Sequence, residues 1–464
     1  MLNGTQKITN KNMNHLIEKY NVAAPRYTSY PTVPYWDKTV PDQEQWKRLV
    51  KDTFTATNSS EGISLYIHLP FCESLCTYCG CNTRITVNHK VELPYIAAVL
   101  KEWSLYLDLF EVTPHIKEIH LGGGTPTFFS AAHLKRLITG ILSTAILCED
   151  AELSFEAHPA NTTGDHLRTL YDLGFRRISL GIQDFDEKVQ AIINRIQSFD
   201  DVKYITGQAR NIGYTSVNYD LIYGLPLQTE ESMERTIEKV IQLRPDRIAF
   251  YSYAHVPWLK PGQRKFTEND LPAGHVKRAL YEQGRDAFEN AGYVEIGMDH
   301  FALPDDPLCI AGQNGGLHRN FMGYTTSHTQ LLVGLGVSSI SDSWTGFAQN
   351  EKKVEDYYKR LEQNSFPFFK GHLLSKEDLI LRKHILNIMC KLETSWEKEE
   401  EQCEALYVAL KQLKEPETDG LIRLSPFHLK VNPAGKPFLR NICMALDAKL
   451  RTVKSVTDIF SKTI

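Results

Sequence analysis

Three cysteines, Cys72, Cys76 and Cys79, follow one another at C-x3-C-x2-C spacing, and a fourth, Cys81, stands two residues on. The stretch reads Tyr66-Ile-His-Leu-Pro-Phe-Cys72-Glu-Ser-Leu-Cys76-Thr-Tyr-Cys79-Gly-Cys81 and places the thiols in a loop just after an apolar run. Three thiolates from one loop can wrap three irons of a cubane, because iron–sulfur clusters are held mainly by Cys sulfur. The fourth iron is then left for a small molecule. Gly80 is expected to let the chain turn closely round the cluster through a positive φ. Structural zinc, which also takes four cysteines, is the bland alternative. Zinc sites, however, usually join two separated pairs, whereas all candidates here lie in one loop.

Five further cysteines, Cys148, Cys309, Cys390, Cys403 and Cys443, are scattered and read as small buried apolar residues. Where thiols stay reduced, a local cluster means metal binding or redox chemistry, not a disulfide framework. The formal charge of -4 over 464 residues exerts no global pull on nucleic acid or an anionic membrane. An anionic ligand would therefore need local cations. No stretch approaches the roughly 20 apolar residues of a membrane span, and the opening residues lack the zones of a signal peptide. A cytoplasmic chain without membrane or nucleic-acid partners is expected.

The elements that must carry these residues show a beat of short strand, loop and amphipathic helix. Strands are expected at Ile63–His68, Lys117–Leu121, Glu152–Ala157, Arg177–Ile182, Ser216–Tyr223 and Arg247–Tyr253. Helices are expected at Leu93–Phe110, Ala131–Leu147, Gly164–Leu173, Glu231–Leu243 and Lys277–Asn290. Such alternation implies a parallel sheet with right-handed crossovers. Six units fall short of a closed eightfold barrel, so the expected α/β fold is an open, partial (β/α)6 barrel. Its strands end in the cysteine loop, GGGTPT, EAHP, GIQDF, NYDLIYGLP and YAH. Loops at the carboxyl ends of barrel strands carry active sites.

Residues 1–60 read as an N-terminal arm, 61–300 as the barrel, 301–375 as its extension, and 376–464 as a mostly helical C-terminal domain. In the last, helices Lys376–Met389, Glu401–Leu413 and Phe438–Leu450 surround a hairpin of Leu421–Ser425 and His428–Val431. That grouping is like a winged helix. Its acidic run at 397–401 and the lack of a basic stripe favour a packing cap over DNA binding.

The motif C-x3-C-x-aromatic-C followed by GGGTPT resembles the radical S-adenosylmethionine (SAM) superfamily. PRYTSYPT, Cys81, RISLGIQDFDEKVQ, NYDLIYGLP, FYSYAHVP, GMDHFALPDD, LHRNFMGYTT, GVSSIS and RNICMALD together resemble the oxygen-independent coproporphyrinogen III oxidase (dehydrogenase) family, in that family's order. The resemblance implies the radical SAM form of the barrel, a [4Fe–4S] cluster on Cys72, Cys76 and Cys79, and two SAM molecules. The matching positions imply Tyr66, Gly123, Glu156 and Ile340 for the first SAM. For the second they imply Tyr78, Gly124, Thr125, Gln183, Arg195, Asp220 and Ala254. Two positions depart from the family pattern, Ile196 and His158, and both neighbour the SAM positions.

The implied reaction turns two propionates of coproporphyrinogen III into vinyl groups with loss of CO2, through a 5′-deoxyadenosyl radical, and gives protoporphyrinogen IX. Arg26, His300, His318 and Arg319 are the implied substrate residues. The tyrosines of the arm would cover the tetrapyrrole face, making the arm a lid. An electron donor and an acceptor are required but are not identifiable, and a monomer is the simplest expectation. A haem-binding chaperone of the same superfamily, or a related enzyme with another substrate, are the competing readings. Both the fourth cysteine and the RYTSYPT arm count against the chaperone.

Overall fold

In the barrel strands, side chains on alternate positions face opposite ways, and the two faces differ in chemistry. We label the strands β1 (Ile63–Leu69), β2 (His115–Gly123), β3 (Ile146–Ala157), β4 (Arg177–Gln183), β5 (Ser216–Tyr223) and β6 (Arg247–Ser252). One face carries Leu65, Ile67, Ile119, Leu121, Phe155, Ile178, Leu180, Val217, Tyr219, Ile248 and Phe250, all buried in a single apolar core with the helices. The opposite face carries Ser64, Tyr66 and His68, then Glu118 and His120, Ser154 and Glu156, Arg177 and Ser179, and Asn218 and Asp220. The register lines these up: Tyr66 pairs with His120, His120 with Ser154, Ser154 with Arg177, and Glu156 with Ser179. The sheet is therefore apolar toward its helices and polar toward its hollow.

This computed structural model describes residues 10–37, 42–452 and 460. The chain forms two compact units that interleave in sequence: residues 36–311 with 325–373, and residues 1–35 with 312–324 and 374–464. The sequence reading cuts the chain into consecutive stretches instead, placing residues 36–60 in the arm and 312–324 in the barrel extension. In the larger unit β1–β6 are parallel neighbours in order, the expected open (β/α)6 arrangement. The sheet continues past both ends to twelve strands. Leu332–Leu335 lies parallel to β1, followed by antiparallel Ile340–Asp342, Gly346–Asn350 and Phe368–Leu373. His300–Ala302 and Val294–Gly297 extend it antiparallel beyond β6.

Two helices of this unit, Glu187–Ile192 and Phe199–Ile212, are absent from the sequence reading. Their signals are local: Asp186 caps the first, Ser198 and Asp201 form a capping box on the second, and Gly213 closes it with φ +116°. The expected helix Ala131–Leu147 stops at Leu142. Beyond it the Ile146 N–H donates to Pro114 O (2.9 Å), and Ile146 and Leu147 pair with β2. Strand pairing thus takes residues that helical periodicity would extend. Helix Gln43–Thr57, capped by Asp42, lies in the stretch that the sequence reading assigns to the arm without an element of its own.

A buried acid fastens the sheet extension to helix Glu92–Leu107. Glu102 accepts from Gly336 N–H (2.8 Å), Tyr357 O–H (2.6 Å) and Asn350 Nδ2 (2.6 Å). Burial pushes its carboxyl up to about 7 against those three donors. Glu102→Ala strands the Gly336 N–H and the Tyr357 hydroxyl in the core, while Asn350 Nδ2 keeps Gly336 O and Ser339 Oγ, and should lower unfolding free energy by about 3 kcal/mol in a denaturant titration.

In the smaller unit, helices Lys376–Lys391, Glu404–Gln412 and Leu439–Leu446 accompany a three-stranded sheet. The expected hairpin is present, with Glu393–Ser395 as a third strand. The arm is built into this unit. Arg440 donates to the carbonyls of Ala24 and Pro25, and Asn441 Nδ2 to Tyr20 O (2.8 Å). Tyr27 and Tyr30 are each 1% exposed. The Tyr27 hydroxyl donates to Asp447 (3.2 Å), and the Tyr30 hydroxyl accepts from Ala448 N–H (3.2 Å). These two rings are core residues, and the expectation that they cover a ligand face is corrected. Of the five scattered cysteines, Cys309 and Cys443 are buried, while Cys148, Cys390 and Cys403 are only partly so. Among the described residues no helix is long and apolar enough to cross a membrane.

Candidate active site

At their carboxyl ends β1–β6 open onto a cavity of about 830 Å³. Its wall includes Cys72, Cys76, Tyr78, Cys79 and Cys81, then Gly123, Gly124 and Thr125, then Glu156, Gln183, Arg195, Asp220 and Ala254. The cysteine loop is held there by its own backbone and by the turn after helix Glu187–Ile192. The Thr77 N–H donates to Ile193 O (2.9 Å) and Asn194 Nδ2 to Leu75 O (2.8 Å). Arg195 Nη1 approaches Cys76 Sγ at 3.9 Å, and Lys260 Nζ donates to Cys81 O (3.3 Å). Hydrogen bonding from Cys81 holds the Cys79 thiol down to about 6, while burial pushes Cys72 up to about 11.

Two glycines at the end of β2 are required by geometry. Gly123 has φ +111°, and a Cβ there would meet the His68 ring at 2.7 Å. A Cβ on Gly124 would lie 2.6 Å from the carbonyl carbon and oxygen of Pro70, two residues before Cys72. Gly80, by contrast, is not among the residues with positive φ, and a Cβ there would meet nothing within 4 Å. The tight turn expected at Gly80 is therefore made elsewhere, and the close approach belongs to the GGGT segment.

The donor set suits a cluster. Among the described residues no three His, Cys, Asp or Glu side chains gather in a way that could hold a single metal ion. Cys72, Cys76 and Cys79 instead stand round one wall as free, partly exposed thiols. An all-thiolate set facing a shared volume fits a multi-iron group, whose irons each take one sulfur.

Two carboxylates face the cavity with different settings. Glu156 Oε2 accepts from Gly123 N–H (3.2 Å), and Oε1 lies 3.5 Å from His120 Nε2. Burial raises its pKa, but His120 and the Gly123 N–H outweigh it, and the carboxyl sits below its ordinary value. Asp220 accepts from Ser179 Oγ (2.9 Å) and Asn218 Nδ2 (2.9 Å), and burial, with the charge of Glu156, pushes it up to about 6. A desolvated acid in a cleft is a mark of a working site.

Three further sequence-predicted residues of this unit do not line the cavity. Tyr66 lies behind the wall, its ring edge and Glu156 both 3.1 Å from where a Gly122 Cβ would be. Ile340 is on the next strand but one from β1, its backbone packed on Gly334, which pairs with Tyr66. His300 meets the wall through Tyr251, whose hydroxyl is 3.4 Å from its Nε2. Arg26, His318 and Arg319 belong to the smaller unit, where Arg319 Nη2 donates to Arg26 O (3.5 Å) and its guanidinium lies over Tyr324. Of the two departures, His158 lines the cavity, with burial and Arg195 pushing it down to about 3. Ile196 is 66% exposed. Sequence reasoning missed the site roles of Ser179, Asn218 and Gln263. Gln263 Nε2 donates to both Tyr78 O (3.2 Å) and Ala254 O (3.2 Å), joining two site loops. The first two were legible as the polar half of a period-2 pattern; Gln263 has no such signal.

Residues 66–240 match the profile of the Radical SAM superfamily. Over 455 residues the chain is 38% identical to an oxygen-independent coproporphyrinogen III oxidase of Salmonella typhimurium, covering 97% of this chain and 98% of that one. A Synechocystis protein of the same name is 39% identical over 458 residues, covering 97% of each. The solved structure of coproporphyrinogen III oxidase (HemN) from Escherichia coli, described as a radical SAM enzyme, superposes with a TM-score of 0.86. The pair is 36% identical, over 91% of this chain and 97% of that one.

Proposed function

The chain belongs to the oxygen-independent coproporphyrinogen III oxidase family of radical SAM enzymes, and on that premise we propose how its residues perform the reaction. It converts two propionates of coproporphyrinogen III to vinyl groups with release of CO2, yielding protoporphyrinogen IX. Membership of the superfamily brings a [4Fe–4S] cluster and SAM. When bound, these supply a 5′-deoxyadenosyl radical that takes a hydrogen from a propionate β-carbon. The remaining work of binding, orientation and exclusion of water falls to the protein.

Cys72, Cys76 and Cys79 hold three irons and leave the fourth to SAM. Glu156 and the Gly123 backbone, backed by Tyr66 and Ile340, receive the first SAM. A second SAM lies against Tyr78, Gly124, Thr125, Gln183, Arg195, Asp220 and Ala254. What supports these assignments is that all seven, with Gly123 and Glu156, line one cavity with the cysteines. Asp220, held by two donors, presents an ionised acceptor for ribose hydroxyls at neutral pH. Arg195, already turned to the cysteine loop, offers a forked donor to a carboxylate. The substrate carries four carboxylates while the chain is net acidic. Local cations must hold it, and Arg26, Arg319, His300 and His318 are proposed for that task. Loss of CO2 also releases one electron, which passes to an acceptor of unassigned identity.

The single observation that carries this reading is the cavity bringing the three cysteines together with both carboxylates. Anaerobic reconstitution of the chain, followed by assay of vinyl formation from coproporphyrinogen III, tests it; cluster and SAM binding without decarboxylation would refute it. Equilibrium dialysis should find two SAM per cluster-replete chain. Asp220→Ala should leave one and cut decarboxylation roughly 10- to 100-fold at unchanged iron content, since it removes a charged acceptor. One SAM per wild-type chain would rule out the second site.

A further inference from the structure

Glu156 does not stand alone behind the cavity wall. A row of polar side chains runs along the inner face of the sheet beneath it, one from each of β1 to β4, in direct register. His120, in the middle of that row, does not line the cavity. Its ring lies nearly parallel to that of Tyr66, 19° apart with centroids at 6.0 Å. Its Nε2 faces Glu156 Oε1 at 3.5 Å and its Nδ1 is 2.8 Å from Ser154 Oγ. Ser154 Oγ in turn accepts from Arg177 Nη2 at 3.1 Å.

What each group can give fixes one of these bonds and allows a choice at the other. Arg177 can only donate, so Ser154 Oγ is its acceptor. The Ser154 hydroxyl then has its one proton free to point at His120 Nδ1. We assign Nδ1 as the acceptor of that proton, which leaves the imidazole proton on Nε2, the nitrogen turned to Glu156. The hydrogen bond made by one ring nitrogen thus sets the state of the other. The stack on Tyr66 limits rotation of the ring about its plane, and Gly122 beside it leaves room for Glu156 and Tyr66 to approach. Glu156 is consequently met on both oxygens, by a hydrogen bond from the Gly123 N–H on one and by the 3.5 Å approach of His120 Nε2 on the other.

We propose that His120, with its tautomer set by Ser154 and Arg177, is a positioning residue that orients the Glu156 carboxylate toward SAM. It touches neither SAM nor substrate. This rests on the reading of Glu156 as a SAM acceptor. The groups that orient a ligating residue commonly change its affinity by roughly 10- to 100-fold.

Titrating SAM against the EPR signal of the reduced cluster, in the full-length anaerobic protein, reads the molecule bound at the cluster independently of turnover. Glu156→Gln should weaken that binding. His120→Phe, which keeps the ring stack but loses both nitrogens, should weaken it roughly 10- to 100-fold at unchanged iron content. His120→Gln, which restores an N–H near the Nε2 position, should recover affinity to within a few-fold of wild type. In a Glu156→Gln background His120→Phe should add nothing, because the two act through one bond. Weakening by Glu156→Gln but not by His120→Phe, failure of His120→Gln to restore affinity, or full additivity of the pair would each overturn the proposal. No effect of Glu156→Gln would instead remove the SAM reading of Glu156, and the proposal with it. If His120→Phe does not fold, Ser154→Ala decides: several-fold weaker SAM binding supports the proposal, and unchanged binding overturns it.

Discussion

Replacing Cys76 by Ser should abolish the visible absorbance of the reconstituted cluster and all vinyl formation, whereas replacing Cys81 should leave the absorbance in place. The difference follows from the loop. Cys72, Cys76 and Cys79 have the C-x3-C-x2-C spacing and line one wall. Removing one of three thiolates leaves an iron without its ligand, and serine oxygen is a poor substitute for sulfur in these clusters. Cys81 stands beside Cys79, and its thiol hydrogen-bonds it. Cys81→Ser therefore alters the setting of a ligand without deleting one. Iron and sulfide per chain, with the absorbance spectrum, are the measurements. Loss of the cluster in Cys81→Ser, at wild-type folding, would show four protein ligands and no open iron for SAM.

Gly124→Ala should be nearly as damaging, although it adds a single uncharged methyl group. The new Cβ would lie 2.6 Å from the Pro70 carbonyl carbon and 2.9 Å from Leu69 O. Both obstacles are backbone, so no side chain can rotate away. The Gly124 N–H also donates to Leu69 O (2.8 Å), holding the two segments at that separation. Relief requires moving β1's end, and with it the loop that begins at Cys72. Overpacking of this kind costs about 3 kcal/mol where it cannot relax. Iron retention after reconstitution should fall severalfold and SAM binding should weaken with it. Gly80→Ala, one residue after Cys79, should retain its iron, because its Cβ would meet nothing. Equal iron in both variants would contradict the close approach.

The chemistry of this chain was legible in its sequence because the key residues are close in number. The three thiols proposed to hold the cluster fall within eight residues, and the glycine segment follows a strand whose apolar alternation is plain. Strand–helix alternation is likewise a local pattern, so the six parallel strands and the open barrel are legible in the sequence. Other local signals, such as the capping box at Ser198 and Asp201, are also written in the sequence.

What the tertiary structure alone decided are relations between residues distant in sequence. Which glycine is indispensable depends on Pro70 lying against Gly124, a meeting of two strand ends that no local pattern records. The arm's tyrosines look like ligand-covering side chains in the sequence, yet Asp447 and Ala448, over 400 residues away, take their hydroxyls and the core takes their rings. His120 reads as one histidine among 16 until register sets it between Ser154 and Tyr66, under Glu156. Residue type and spacing determine which chemistry is available, since donors and ligands are properties of single side chains and short loops. Hydrogen-bond direction, burial and close approach are properties of pairs, and the pairs are made only when the sheet closes the distance between them.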